Sequence, residues 1–209
     1  MQLTADRISV ESGACAAPAL TERGYNYNPS AERERRQVVA AVTILSGPIG
    51  AGKTAVSKEL IALSPGPLAS IEGDQFWAFL VKRPERDRRE DFWAIMRAMA
   101  SAAGSFTRTG YDVLLDFSAP PPFVPSAQKI LRDGLLNFIV LRPPLEVCEA
   151  RARDRAEGRI AKYDQGFYAL FAADARHVVE PDNDESPRAI AEIIFQDLKA
   201  GRFRVAPSP

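Results

Sequence analysis

The sequence predicts an α/β fold built on a parallel sheet, and three observations predict it. Short apolar runs rich in β-branched residues alternate with longer segments of helical periodicity. The first strand-to-helix junction reads Gly47-Pro48-Ile49-Gly50-Ala51-Gly52-Lys53-Thr54, which fits the P-loop pattern G-x-x-x-x-G-K-[ST] at every position. Two later apolar runs end in carboxylates, Leu68-Ala69-Ser70-Ile71 before Glu72-Gly73-Asp74 and Val113-Leu114-Leu115 before Asp116.

In chain order, Met1 to about Gln37 is dominated by Ala, Ser, Glu, Arg, Asn and Pro with little periodicity, which predicts a poorly ordered arm over residues 1–37. The domain proper is placed at residues 38–200, and residues 201–209 read as a tail. Ala40 to Leu45 is a short apolar run and reads as a buried strand. After the Gly-rich turn, Val56, Leu60 and Leu63 recur at helical spacing, so Ala55 to Leu63 reads as an amphipathic helix. Strand, Gly-rich turn and helix form the context the motif needs. Gly47, Gly50 and Gly52 allow backbone angles that a Cβ forbids, and they let N–H groups close on phosphate oxygens. Pro48, Ile49 and Ala51 complete the loop, and the helix N-terminus adds its dipole. Lys53 can reach the β- and γ-phosphates of a nucleotide, and Thr54 can place its hydroxyl on Mg²⁺.

Ser64-Pro65-Gly66-Pro67 breaks the helix, and the strand from Leu68 ends at Glu72. Phe76-Trp77-Ala78-Phe79-Leu80 opens a further helix, so Asp74 lies where a strand's carboxyl end meets a helix. Ligands of open α/β sheets bind along that edge. Asp74 is therefore either a helix cap or a carboxylate facing the phosphates, and the P-loop one unit earlier favours the second reading. The charge run Lys82 to Asp91 is either a solvated surface or a substrate rim. A long helix follows from about Arg88 to Thr107, with Phe92, Ile95, Met96 and Met99 as its apolar stripe and Gly110 closing it. Trp77, Phe92 and Trp93 serve either core packing or a substrate wall. Tyr111 to Asp116 is an apolar strand ending in a carboxylate, as a Walker B segment does, and Asp116 can hold Mg²⁺ directly or through water.

Pro120-Pro121-Pro122 forces an extended connection to a helix over Phe123–Asp133. Leu135–Leu141 reads as the fourth strand and Leu145–Ala156 as the next helix. Its end carries Arg151, Arg153, Arg155 and, past Gly158, Arg159, which form either a solvated face or a mobile anion-binding flap. A helix over Gln165–Ala175, a short strand at His177-Val178-Val179 and a last helix over Ser186–Ala200 complete the order, with Ser186 as cap and Pro187 at its first position.

Composition narrows the class. In 209 residues, Lys+Arg and Asp+Glu both number 27, so no global field recruits nucleic acid or an anionic membrane. Two cysteines, Cys15 and Cys148, lie far apart and make neither a disulfide framework nor a zinc site; Cys148 reads as a small buried filler. No signal peptide and no run of about 18 apolar residues are found, so a cytoplasmic protein is expected.

With the P-loop, Gly73-Asp74, Asp116 and the run Arg151 to Arg159 in view, residues Val42 to Leu198 resemble the small P-loop kinases that phosphorylate metabolites or drugs. The closest likeness is to the chloramphenicol phosphotransferase-like branch, with shikimate and gluconate kinases further off. The resemblance implies a three-layer P-loop NTPase fold, with a parallel sheet of five strands, helices on both faces and an Arg-rich lid. It implies an ATP- and Mg²⁺-dependent phosphotransferase acting on a hydroxyl of a small molecule such as an antibiotic, sugar or other metabolite. The carboxylate matching Asp74 would accept the hydroxyl proton. Lys53 and a lid arginine, Arg155 or Arg159, would neutralise the transferring phosphoryl group. Arg151 would bind the nucleotide, and the turn Pro181-Asp182-Asn183 would lie near the adenine. The paired Asp and Gly-Gly motifs of shikimate kinases are absent, so shikimate is not implied. The antibiotic-modifying branch varies in its substrate region, so chloramphenicol is not implied either. Two other readings stay open, a polynucleotide or toxin-type P-loop kinase and a nucleotide-binding protein without catalysis. The balanced charge argues against a nucleic-acid groove, and the full set of motif carboxylates argues against lost catalysis. No membrane partner is expected, and the oligomeric state stays open.

A GTPase switch needs a guanine-reading N-K-x-D and a D-x-x-G after the P-loop, and neither is present. Calorimetric titration is expected to show ATP bound more tightly than GTP, or no base preference, with Mg²⁺ required; strong selection of GTP contradicts the kinase resemblance.

Overall fold

Strands covered by helices on both faces must be apolar on both. The computed structural model describes residues 40–85, 87–132, 134–155, 164–182 and 184–206. In chain order its main elements are β1 (Ala41–Ser46), α1 (Lys53–Leu63), β2 (Leu68–Glu72), α2 (Arg88–Thr107), β3 (Asp112–Asp116), α3 (Val124–Leu131), β4 (Leu135–Leu141), α4 (Leu145–Arg155), α5 (Gln165–Ala169), β5 (Val178–Val179) and α6 (Pro187–Lys199). The strands form one five-stranded parallel sheet in the order β2-β3-β1-β4-β5. The arm expected over residues 1–37 lies outside the described residues.

Side chains alternate between the two faces of each strand. Val42 and Ile44 of β1, Val113 and Leu115 of β3, and Leu136, Phe138 and Val140 of β4 pack with Ile95, Met96 and Met99 of α2 and Ala127 of α3. Leu45, Leu114, Ile139 and Leu141 face the opposite layer, where α1, α4 and α6 supply Val56, Leu60, Cys148, Ala152, Ile190 and Ile194. The chain leaves β1 toward β2 on one side of the sheet and leaves β4 toward β5 on the other. The carboxyl ends of the adjacent strands β1 and β4 therefore bound a crevice, the place where such sheets bind ligands. Local signals set the helix ends. Ser186 Oγ accepts from the Ala189 N–H at 3.2 Å, with Pro187 in the first turn. Asp87 likewise caps α2, accepting from the Arg89 N–H at 2.9 Å. Among the described residues no helix is long and apolar enough to cross a membrane.

Four segments differ from the sequence expectation. The stretch after β2 is a 3₁₀ turn, Gly73–Phe79, rather than an α-helix. Its tighter winding brings Phe76 edge-on to Phe79, three residues on, with ring centroids 5.2 Å apart. The helix expected over Gln165–Ala175 ends at Ala169. There the bonding tightens, Leu170 N–H to Phe167 O and Phe171 N–H to Tyr168 O, and Asp174 caps a separate 3₁₀ turn, Ala175–His177, by accepting from the Arg176 N–H. That turn takes His177 out of β5. Its Nδ1 lies 2.9 Å from the Phe138 carbonyl oxygen. The segment read as a tail is held on the sheet from its start. Phe138 N–H donates to Phe203 O, Val205 N–H donates to Leu136 O, and the Phe203 ring is fully buried against the α1/α4/α6 layer.

Phe203→Ala removes a buried ring and leaves a cavity, so it is expected to cost about 3–5 kcal/mol in chemical denaturation. A loss under about 1 kcal/mol would mean that the segment from 201 is dispensable to the fold.

Candidate active site

The P-loop follows β1 directly, and its shape depends on missing side chains. Gly47 has φ +148° and Gly50 has φ +82°. A Cβ on Gly47 would stand 2.1 Å from the Leu141 carbonyl oxygen, and one on Gly50 would stand 2.1 Å from the Cys148 carbonyl oxygen. Gly52, at φ +91°, is the residue before the first turn of α1 and accepts from the Ala55 and Val56 N–H groups, both at 3.1 Å. Lys53 Nζ donates to the carbonyl oxygens of Gly47 and Pro48 at 3.1 Å each. A loop that only glycine can form, opening onto a helix N-terminus, is a cradle that fits a phosphate.

Strand pairing brings carboxylates to the same edge. Asp116 pairs in register with Leu45, the next-to-last residue of β1, and with Glu72 at the end of β2. Asp74 follows in the 3₁₀ turn. No side chain caps that turn, and the residue before it is Glu72, so Asp74 does not occupy the cap position. One cavity of about 240 Å³ is lined by Lys53 and Thr54 from the loop and by Glu72, Asp74 and Asp116. Burial raises the Asp116 carboxyl above its ordinary value; the Lys53 charge and the Thr54 and Ser57 hydroxyls oppose the rise, and Glu72 adds to it. Thr54 and Asp116 offer hard oxygen donors to the same space, and no cluster of three His, Cys, Asp or Glu able to hold a metal occurs among the described residues. That donor set fits Mg²⁺, which keeps waters and phosphate oxygens and takes one or two protein ligands.

Of the residues singled out in the sequence, Ile49, Gly50, Gly52, Lys53, Thr54, Asp74 and Asp116 line this cavity. Gly47, Pro48 and Ala51 are buried in the loop behind it. Arg151 is half-buried on α4, with Nη1 3.6 Å from where a Cβ of Gly52 would stand. Arg153 turns outward to pair with Glu149 at 2.8 Å. Arg159 and Asn183 lie outside the described residues, as does the Arg155 side chain. The charge run is largely exposed, but Asp91 is buried and pairs with Arg83 at 3.5 Å. Trp77 and Phe92 do line the cavity. Sequence reasoning missed Glu72, Phe117, Ser118 and Phe167 on its wall. Glu72 was readable as a strand end, and its position opposite Asp116 emerges only once the strands pair.

The fold is that of the small P-loop kinases. The profile of the chloramphenicol phosphotransferase-like protein family matches residues 40–184, and the chain belongs to that family. No curated protein sequence matches the chain. Solved structures share the fold at low identity. An APS kinase from Mycobacterium tuberculosis, in complex with AMPPNP and APS, is 18% identical with a TM-score of 0.59, over 77% of this chain and 98% of that one. A tunicamycin resistance protein from Deinococcus radiodurans is 16% identical with a TM-score of 0.59, over 80% of this chain and 99% of the other. A shikimate kinase from Acinetobacter baumannii, in complex with shikimate, is 18% identical with a TM-score of 0.51, over 78% and 96%.

The loop's contact with α4 makes a checkable statement about Cys148, which is fully buried. Burial pushes its thiol up to about 11, against the opposing charges of Arg151 and Lys53. Below the ordinary thiol value the group is protonated in folded and unfolded chains alike, and the stability it allows is lost as pH rises through about 11. Iodoacetamide at about pH 8 is therefore expected to leave Cys148 unmodified in peptide mapping of the folded protein and to label it in denaturant. Labelling at equal rates would show that α4 does not stay closed on the loop.

Proposed function

We propose that this protein transfers the γ-phosphoryl group of ATP, with Mg²⁺, to a hydroxyl of a small molecule. The observation that carries the reading is the single cavity lined by Lys53 and Thr54 of the P-loop together with Asp74 and Asp116. The family description and the AMPPNP complex of the similar APS kinase support it. In the reaction the acceptor oxygen bonds to the γ-phosphorus as the bond to the bridging oxygen breaks, ADP leaves, and the hydroxyl proton passes to the Asp74 carboxylate. The loop N–H groups and the α1 dipole hold the phosphates. Lys53 exchanges the Gly47 and Pro48 carbonyls for phosphate oxygens. Mg²⁺, held through Thr54 and Asp116, would neutralise charge on the phosphates. Arg151 sits beside Gly52 and adds a cation at the nucleotide. Arg155 or Arg159 on the phosphoryl group, and Asn183 near the adenine, rest on the sequence resemblance alone. Catalysis in this scheme is positioning and charge neutralisation in a preorganised site.

Asp74→Asn tests the base. Asparagine keeps the shape and cannot take the proton, so turnover is expected to fall about 10² to 10⁴-fold. Thermal melting and ATP titration should stay close to those of the parent protein, since the P-loop is untouched. Near-normal turnover by the variant would end the assignment of Asp74 as base.

A further inference from the structure

Ser57 is buried on α1 with Val56 and Leu60, one turn after Thr54. It is 4% exposed, and among the described residues its hydroxyl makes no hydrogen bond. A serine inside a helix often bonds back to the carbonyl one turn earlier. Ser57 does not, and the charged group it faces is Asp116, the last residue of β3. The hydroxyl stands close enough to favour the charged form of that carboxyl, without the geometry of a completed hydrogen bond. Asp116 is itself buried, and the Thr54 hydroxyl acts on it from the same helix.

Serine is a poor choice here for folding alone. Alanine has the same Cβ, is the better helix former and leaves no polar atom to desolvate. A buried hydroxyl with no bond is a cost that packing does not explain, and such groups call for another reason. Ser57 is also absent from the lining of the polar cavity, so it can act there only through a neighbour.

We infer that Ser57 is a positioning residue for Asp116: its hydroxyl donates to the Asp116 carboxylate once Mg²⁺ and the nucleotide phosphates are bound, and keeps that carboxylate turned to the metal. The inference rests on the reading that Thr54 and Asp116 hold Mg²⁺. Mg²⁺ demands near-octahedral coordination and takes few protein oxygens, so a carboxylate left to turn about its last side-chain bond would hold it poorly. Hydrogen bonds that fix a ligating carboxylate typically change metal affinity by about 10- to 100-fold.

Calorimetric titration of the full-length protein with AMPPNP, in EDTA and in Mg²⁺, tests this without turnover. The parent protein should bind AMPPNP more tightly in Mg²⁺. Ser57→Ala should bind it in EDTA as the parent does and melt at the same or a higher temperature without ligands. The ratio of Kd in EDTA to Kd in Mg²⁺ should be at least fivefold smaller in this variant than in the parent. In an Asp116→Asn background, Ser57→Ala should change that ratio no further, because its effect passes through the carboxylate. An unchanged ratio in Ser57→Ala makes the residue a buried filler and overturns the assignment, with the kinase reading untouched. Weaker binding in EDTA with a lower melting temperature overturns it too, since that marks a structural role. An equal further fall in the Asp116→Asn background does the same, because the hydroxyl then acts elsewhere. A parent protein whose AMPPNP binding ignores Mg²⁺ removes the metal reading, and the inference with it.

Discussion

Two glycines pressed against two carbonyl oxygens set the geometry of the whole site. A Cβ at Gly47 or Gly50 would overlap Leu141 O or Cys148 O outright, at 2.1 Å in both cases. The loop can therefore close onto the end of β4 and the first turns of α4 at a distance no other residue permits. That closeness ties together three things that are separate in sequence. It fixes β1 beside β4, it places the backbone of α4 behind the loop, and it brings Arg151, one turn after Cys148, against Gly52. Cys148 suits the contact because it is small and apolar, and its packing in the α1/α4/α6 layer holds α4 to the sheet. Anion binding by the loop and burial of the helix are thus one packing arrangement.

A second close approach shapes the other wall. A Cβ on Gly73 would meet the Phe117 ring at 2.3 to 2.7 Å, so the end of β2 can fold over the residue following β3 only with glycine there. Phe117 in turn lies 5.6 Å from Phe92, which contacts Trp77 edge-on at 5.0 Å and Phe123 at 6.0 Å. The glycine of the Gly73-Asp74 pair therefore packs and the aspartate faces the cavity. The aromatic cluster they lean on forms a partition, with charged and hydroxyl groups on one side and an apolar groove on the other.

Much of this was legible in the chain. The β4 range and the α2 range follow directly from an unbroken apolar run and from a helical stripe, because long regular burial patterns leave little freedom of assignment. The P-loop was legible because its chemistry is local, and Asp116 because a strand ending in a carboxylate beside that loop has few places to go. Segments governed by non-local packing were not legible. Phe203 lies in a four-residue alternation, Arg202-Phe203-Arg204-Val205, too short to mark a strand by itself, and its burial depends on pairing with β4. Gln165 to Ala175 has helix-compatible residues throughout, yet Phe171 is drawn into the sheet core and Asp174 starts a new turn. Glu72 and Phe167 reach the cavity only through strand register and through the docking of α5, neither of which a single sequence displays.

The charge pattern of the edge carries the last step. Glu72, Asp74 and Asp116 crowd one small cavity, and among its lining residues Lys53 is the cation that answers them. Burial and Glu72 both work against the charged form of Asp116, while Lys53 is bonded to its own loop's carbonyls. A bare polyanion entering this space would meet the buried Asp116 carboxylate, with Glu72 and Asp74 exposed beside it, and repulsion from the buried group is less screened than in water. The loop amides and the α1 dipole contribute only fractional charges toward such an anion. A divalent cation arriving with the polyanion would reverse the balance. Held there, it would take the Thr54 and Asp116 oxygens as ligands and would favour the ionised form of Asp116. The buried carboxylate that would repel an anion alone would therefore favour one that entered together with a metal ion.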